Sequence, residues 1–403
     1  MNTSTRRYDL DWLRVIAILA VYLHHIAMPF NGDSFHIMNK ESSKLLDDIM
    51  VYFEQFRLPL LFLISGTGTV LAFSKRSWKQ FIKERTGRLL LPLFFGVIFI
   101  VPPQTYYQYI TEYSNYWQLY TDGRFEVNHL WFIENLYVIS ILVIPLIIFL
   151  KSNKSNRFIN WFEKISVHKI GFLLGGLPLI IGTVILKRYF PTGSSDLNNL
   201  SQTFYYFFFF SAGILFASSE IFWINLKIFR RFHFNILIIS SLIFYSYYFA
   251  PSAVLSPYLS LSIRWDIWYA LCCLLGWSFV LTLLGYGQIY FNKPSSYLKR
   301  MNEAIYPFYI LHQTVIVVLA YHIVQLQFNI PVKIIILIVS SFLTIVCIYR
   351  FFIYPFKIVR ILFGMKYNKN RNINSKTLVS QIKTGIKTPK ENSLNFIFKL
   401  KKK

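Results

Sequence analysis

The sequence predicts an all-α protein, a polytopic transmembrane helical bundle of about ten spans with both termini in the cytoplasm. Three observations carry this. Hydrophobic residues make up 55% of the 403-residue chain and charged residues only 15%, far from the balance of a soluble domain. The apolar residues gather into runs of roughly 17 to 25, the length a helix needs to cross a bilayer. The basic residues alternate from one inter-span segment to the next, as a multi-pass topology requires.

In chain order the expected spans are 11–30, 51–73, 87–106, 130–150, 169–187, 203–218, 234–250, 266–287, 303–325 and 332–356. Arg6 and Arg7 precede the first. Lys75, Arg76, Lys79, Lys83 and Arg85 follow the second, and Lys151, Lys154, Arg157 and Lys164 the fourth. Lys227, Arg230 and Arg231 follow the sixth, and Lys293, Lys299 and Arg300 the eighth. The intervening loops are poor in basic residues: Arg124 is matched by Glu112, Asp122 and Glu126, and Arg264 follows the seventh span. Lys187–Arg188 breaks the pattern and makes the fifth and sixth spans the weakest assignments. The formal charge of +24 is therefore mostly an orientation signal, and nucleic acid is not an expected partner.

The membrane domain is expected over 1–360, followed by a basic cytoplasmic tail, 361–403, too polar to bury a core. The first apolar segment does not read as a cleaved signal, because no small-residue cleavage site follows it. Cys272, Cys273 and Cys347 fall inside apolar runs with no disulfide or metal-ligand spacing, so no metal is expected. No internal repeat is visible, which weighs against a transporter built from two halves.

The chemistry concentrates in the first span, YDLDWLRVIAILAVYLHHIAMPF. Ionisable groups inside a membrane are costly and usually functional. Arg14 and His25 lie eleven residues apart, close to three helical turns, which places them on nearly one face about 16 Å apart. Asp11 sits one turn before Arg14, at the spacing where side chains meet. A guanidinium is suited to gripping phosphate, and an imidazole to taking a hydroxyl proton near neutral pH. The plain alternatives are an inside-positive flank for Arg14 and a packing imidazole for His25. His24 points about 100° away and reads as a supporting group.

Further polar groups lie deeper in the chain. Arg57, in FEQFRLPLLFLISG, either snorkels to the outer interface or provides a fixed positive charge for a developing oxyanion. Pro59 loosens that helix, and Ser65 and Gly66 suit close helix packing. Arg85 and Arg88, in KERTGRLLLP, are neighbours able to contact donor phosphates or simply to fix topology. His129, Trp131 and Tyr137 suit the outer interface, while Glu134 needs a partner, with Arg57 or a histidine the natural choice. His312 and Gln313 sit mid-span beyond Pro307 and read foremost as hydrogen-bonding groups.

Taken together, D-x-x-R-x10-H (Asp11, Arg14, His25), FRLPLLFLISG, ERTGRLLLP, HLWFIENL and IYPFYILHQT, in order over roughly residues 8–320, resemble the acyltransferase 3 family of integral-membrane acyltransferases. The Arg57 segment, HLWF and the YPFYILHQ run are most similar to its glucan biosynthesis protein C branch, which attaches succinyl groups to periplasmic glucans. Glu134 departs from the mostly apolar run expected there. The resemblance implies that Arg14 and His25 are required. It also implies acyl-CoA as donor substrate from the cytoplasm, no bound cofactor, and a glycan or other envelope carbohydrate as acceptor.

The expected function is an O-acyltransferase of the bacterial cytoplasmic membrane that moves acetyl or succinyl to a hydroxyl of an exported carbohydrate. His25, Arg14 and Arg57 are the catalytic candidates; Asp11, Arg85, Arg88, Glu134, His129 and His312 are the binding candidates. His25 serves as general base or as covalent relay. A transporter or flippase with these charges along its path, or a non-catalytic scaffold in a glycan-export complex, are the competing classes.

Overall fold

The computed structural model describes residues 6–74, 76–191 and 197–365. From residue 366 onward the basic tail lies outside them. Among the described residues the regular structure is all helical, with loops and turns between the helices. We number its main helices α1 (Tyr8–Asn31), α2 (Lys44–Phe73), α3 (Trp78–Gln108), α4 (Asn128–Leu142), α5 (Ile144–Lys151), α6 (Asn156–Ser166) and α7 (Gly171–Tyr189). They continue as α8 (Leu200–Ala217), α9 (Glu220–Ile228), α10 (Arg230–Tyr248), α11 (Leu261–Tyr290), α12 (Ser296–Ile323), α13 (Ile330–Ile353) and α14 (Lys357–Leu362).

Eight of these helices are long and apolar enough to cross a membrane. The count reaches ten if the bent pairs α4–α5 and α9–α10 are each one span. The ten expected spans therefore all find a counterpart, with two corrections of shape. The fourth bends by 42° where Pro145 begins α5. The seventh opens at Arg230 after a 65° bend that joins it to α9. The chain is a multi-pass membrane protein.

Local chemistry sets the helix ends. Ser43, Asn199, Ser260 and Asn329 accept backbone N–H groups at the starts of α2, α8, α11 and α13, replacing bonds that the first turn lacks. Gly32 ends α1 with φ +99°, a conformation a side chain resists. α13 shows the lipid-facing pattern plainly: Ile335, Val339 and Leu343 are exposed along one stripe, while Leu337, Ser341 and Ile345 are buried behind them. With hydrocarbon as solvent that exposure costs nothing.

The centre of the bundle is α2, held between α1, α8 and α11. α2 and α8 meet where Gly66 faces the Phe210 carbonyl and Gly213 faces the Leu63 carbonyl; a Cβ at either would lie 2.0 Å from that oxygen. Thr67 adds a hydrogen bond to the Gly213 carbonyl at 3.2 Å. The close packing expected of Gly66 is thus a backbone-to-backbone approach. Gly66→Ala and Gly213→Ala are each expected to destabilise the protein by at least about 1–3 kcal/mol, read as a lower melting temperature in detergent. Gly68→Ala, whose Cβ would meet nothing within 4 Å, is expected to leave it unchanged.

Candidate active site

Two contacts fix how α1 and α12 lie together. Arg14 donates to Asn302 Oδ1 at 3.5 Å, and eleven residues later His25 meets His312 at 3.3 Å between ring nitrogens. Both pairs advance in the same chain direction, so the two helices run parallel and in register. Each presents a polar group at the end where α1 begins and an imidazole about three turns further along.

At the first of these levels Arg14 bonds Asp11 at 3.1 Å, as its one-turn spacing requires. Arg6 holds the other Asp11 oxygen at 2.8 Å. Arg85 reaches Thr69 Oγ1 at 2.8 Å, and Arg88 pairs with Glu84 at 3.2 Å. Arg14, Arg85 and Arg88 lie within electrostatic range of one another. Four expected site residues, Asp11, Arg14, Arg85 and Arg88, are therefore gathered at one end of the bundle.

At the second level the hydrogen bonds dictate where the ring protons sit. His25 Nδ1 lies 2.9 Å from the Val21 carbonyl, which only accepts, so Nδ1 carries the proton. His312 Nδ1 likewise lies 2.5 Å from the Tyr309 carbonyl and is protonated. The neutral His312 ring then turns an unprotonated Nε2 toward that same His25 Nδ1–H, which is shared between the Val21 carbonyl at 2.9 Å and His312 Nε2 at 3.3 Å. This leaves His25 Nε2 as its basic atom, with no protein partner among the described residues. The imidazoles stack edge to face, His25 on His312 at 4.9 Å and His312 on His129 at 5.4 Å between centroids.

His129 was expected at the outer interface; it is instead buried at 5% exposure. It donates Nε2–H to the Ile310 carbonyl at 3.0 Å and accepts at Nδ1 from Gln104 at 3.2 Å. Gln104 also bonds Thr314 and Gln313. Gln313 reaches Asn128 at 2.8 Å and His36 at 3.1 Å, and His36 contacts Gln108. The reason for the misplacement is that burial deprives polar groups of water, and this network supplies their partners. Tyr137 is corrected too, because it bonds Thr86 at 3.1 Å, next to Arg85; Trp131 packs on Tyr206 in the cavity wall.

His25 opens onto a cavity of about 440 Å³. Its wall includes His24, Glu54, Arg57, Lys187, Tyr205 and Trp268, from α1, α2, α7, α8 and α11, together with His129 and Tyr309. Arg57 is 8% exposed. Among the described residues no carboxylate lies within ion-pair distance of it, and its Nε has no hydrogen-bond partner. The carboxylate in its field is Glu54, one turn before it. Glu134, expected as the partner, is not among the cavity's residues. The irregular Lys187–Arg188 pair also finds its reason here. Arg188 forks onto Asp266 at 2.5 Å, and Lys187 lines the cavity above the Tyr269 ring.

Sequence reasoning missed Glu54, Lys187, Gln104, Asn128 and His36. Only Lys187 carried a signal, its breach of the charge alternation. The others join the site through contacts 25 or more residues apart in the chain, such as Gln104 with His129 and His36 with Gln108, or stand in helices where a polar residue is unremarkable.

A paired imidazole with one free basic nitrogen and an unpaired guanidinium thus share one cavity, with an arginine cluster three turns away, inside a multi-pass helical bundle. The family model described as an acyltransferase domain matches residues 7–350, and the chain belongs to that acyltransferase family. It is similar to glucans biosynthesis protein C of Escherichia coli K12, at 26% identity over 227 residues, covering 53% of this chain and 58% of the relative. The same-named protein of Escherichia coli O139:H28 is 25% identical over the same length. The matched region thus spans little more than half of these relatives. No solved structure matches the chain.

A lone buried guanidinium is held against its own desolvation. Arg57→Met is therefore expected to leave the melting temperature unchanged or raise it, while abolishing transfer. A lower melting temperature would show that the charge is satisfied where it stands.

Proposed function

We propose that this protein transfers an acyl group, acetyl or succinyl, from cytoplasmic acyl-CoA to a hydroxyl of an exported glycan or related envelope carbohydrate. In this reading both termini lie in the cytoplasm and the protein resides in the cytoplasmic membrane. The arginine cluster then faces the cytoplasm and the cavity faces outward. The observation that carries the reading is the free Nε2 of His25 at the cavity, aligned along α1 with Arg14.

The donor is anionic at its nucleotide end and thin at its thioester end. Phosphates held by Arg14 and its neighbours leave the pantetheine arm to span the interval of about 16 Å to His25. His25 Nε2 takes the proton of the acceptor hydroxyl, and the oxygen attacks the thioester carbonyl. The resulting oxyanion is stabilised by the Arg57 guanidinium. As it collapses, the carbon–sulfur bond breaks and the thiolate leaves, taking the proton back from His25. His312 supports the imidazolium stage, because the Nδ1–H it accepts becomes a stronger donor once His25 is charged. The same geometry permits a covalent acyl-His25 relay, in which Nε2 attacks the thioester first. The aromatic wall of Trp131, Tyr205, Tyr206, Trp268 and Tyr269 suits the apolar faces of sugar rings, and the named function of the relatives points toward glucans.

His25→Ala is expected to lower the acylation rate by about 10²–10⁴-fold, measured by mass spectrometry of envelope glycans and by release of free thiol from acyl-CoA. Wild-type rates in that variant would remove the chemical basis of the proposal. Arg14→Ala is expected to act chiefly on the donor KM. His312→Ala should lower kcat with little change in either KM.

A further inference from the structure

Resting on the donor reading above, we infer that Asn302 and Tyr306 complete a phosphate-binding site with Arg14, Arg85 and Arg88. They would thereby make the enzyme selective for a nucleotide-bearing thioester. The two residues stand one turn apart on α12, on the face that meets α1. The Tyr306 hydroxyl and the Asn302 amide nitrogen are both buried without a hydrogen-bond partner. Buried polar atoms are nearly always paired, and two such orphans side by side mark a place where a ligand supplies the acceptors.

The surroundings specify its charge. Tyr306 lies in the field of Arg88 and Arg85, and Asn302 already accepts from Arg14 through Oδ1, so that its free nitrogen is a donor. Nearby carboxylates are already engaged: Asp11 is shared by Arg6 and Arg14, Glu84 by Arg76 and Arg88, and Glu303 pairs with Arg360 at 3.0 Å. Arg85 rests on a neutral hydroxyl and the Phe81 ring. The Tyr306 hydroxyl and the Asn302 amide nitrogen can both donate, and beside three guanidiniums they make a site rich in donors and positive charge. That matches the several oxygens of a phosphate or diphosphate rather than one carboxylate. The chain after α14 closes one wall. Gly364, at φ +66°, lies so near that a Cβ there would stand 2.4 Å from the Tyr306 ring and 2.7 Å from the Arg88 carbonyl oxygen.

The test is calorimetric titration of the full-length protein in phosphatidylcholine nanodiscs with coenzyme A, dephospho-coenzyme A and pantetheine. The wild type is expected to bind coenzyme A more tightly than pantetheine. Tyr306→Phe and Asn302→Ala are each expected to weaken coenzyme A by about ten- to a hundredfold. Their binding of pantetheine should be unchanged, which also shows that the variants are folded. Dephospho-coenzyme A separates the ribose phosphate from the diphosphate: whichever phosphate the two residues hold is the one whose removal equalises wild type and variants. Variants that bind coenzyme A as the wild type does would overturn the inference and leave the donor reading standing. A wild type that binds coenzyme A no better than pantetheine would overturn both. Phosphatidylglycerol stabilising the wild type but not Tyr306→Phe, with coenzyme A affinity equal in the two, would assign the two residues to a lipid headgroup and overturn the inference, again leaving the donor reading standing.

Discussion

Parallel packing of α1 against α12, in register at both ends, is the constraint from which the rest of the molecule follows. A polar side chain inside a bilayer needs a partner, since no water is there to serve it. Arg14 meets Asn302 and His25 meets His312 only if the two helices advance together. A slip of one residue would rotate each group by about 100° and leave four polar groups facing hydrocarbon. Registry is thus set by polar pairs and tightened by packing. The backbone contact of Gly66 and Gly213 does the corresponding work between α2 and α8.

The two levels on α1 differ in how they treat charge. At the arginine cluster, guanidiniums share carboxylates and keep an excess of donors. At the histidines, charge is avoided because burial away from water disfavours the charged form, while the Val21 and Tyr309 carbonyls fix the tautomers and leave one basic nitrogen. Between them the interval is apolar, with Val15, Ile18 and Val21 buried. Such a separation suits a substrate that is charged at one end only. Arg57 is the exception on the cavity side, a buried cation with no counter-ion at bonding distance, and such an arrangement persists in a membrane where function requires it.

Much of this was legible in the sequence. Arg14, Asp11 and His25 share one helix, so the 3.6-residue period alone put them on one face at the right separation. The spans were legible because twenty apolar residues have few alternatives. What could not be read was which helix would face which. His312 looked like a structural hydrogen-bonding group until α12 came to lie on α1. His129 looked interfacial because its sequence neighbours are aromatic, yet Gln104 and the Ile310 carbonyl draw it into the core. Glu54 was invisible beside Arg57 because a carboxylate near an outer helix end is ordinarily a solvated flank.

The central claim is that one helix pair holds the donor's charged head at one level and its reactive carbon at another. It is tested most directly by a cryo-electron microscopy structure with a non-transferable thioether analogue of acyl-CoA bound. The account predicts phosphate density against Arg14, Arg85 and Arg88, with the chain of the analogue lying along α1 and its sulfur next to His25 Nε2. Phosphates bound elsewhere, or a sulfur far from that ring with His25 closed off from the ligand, would contradict it.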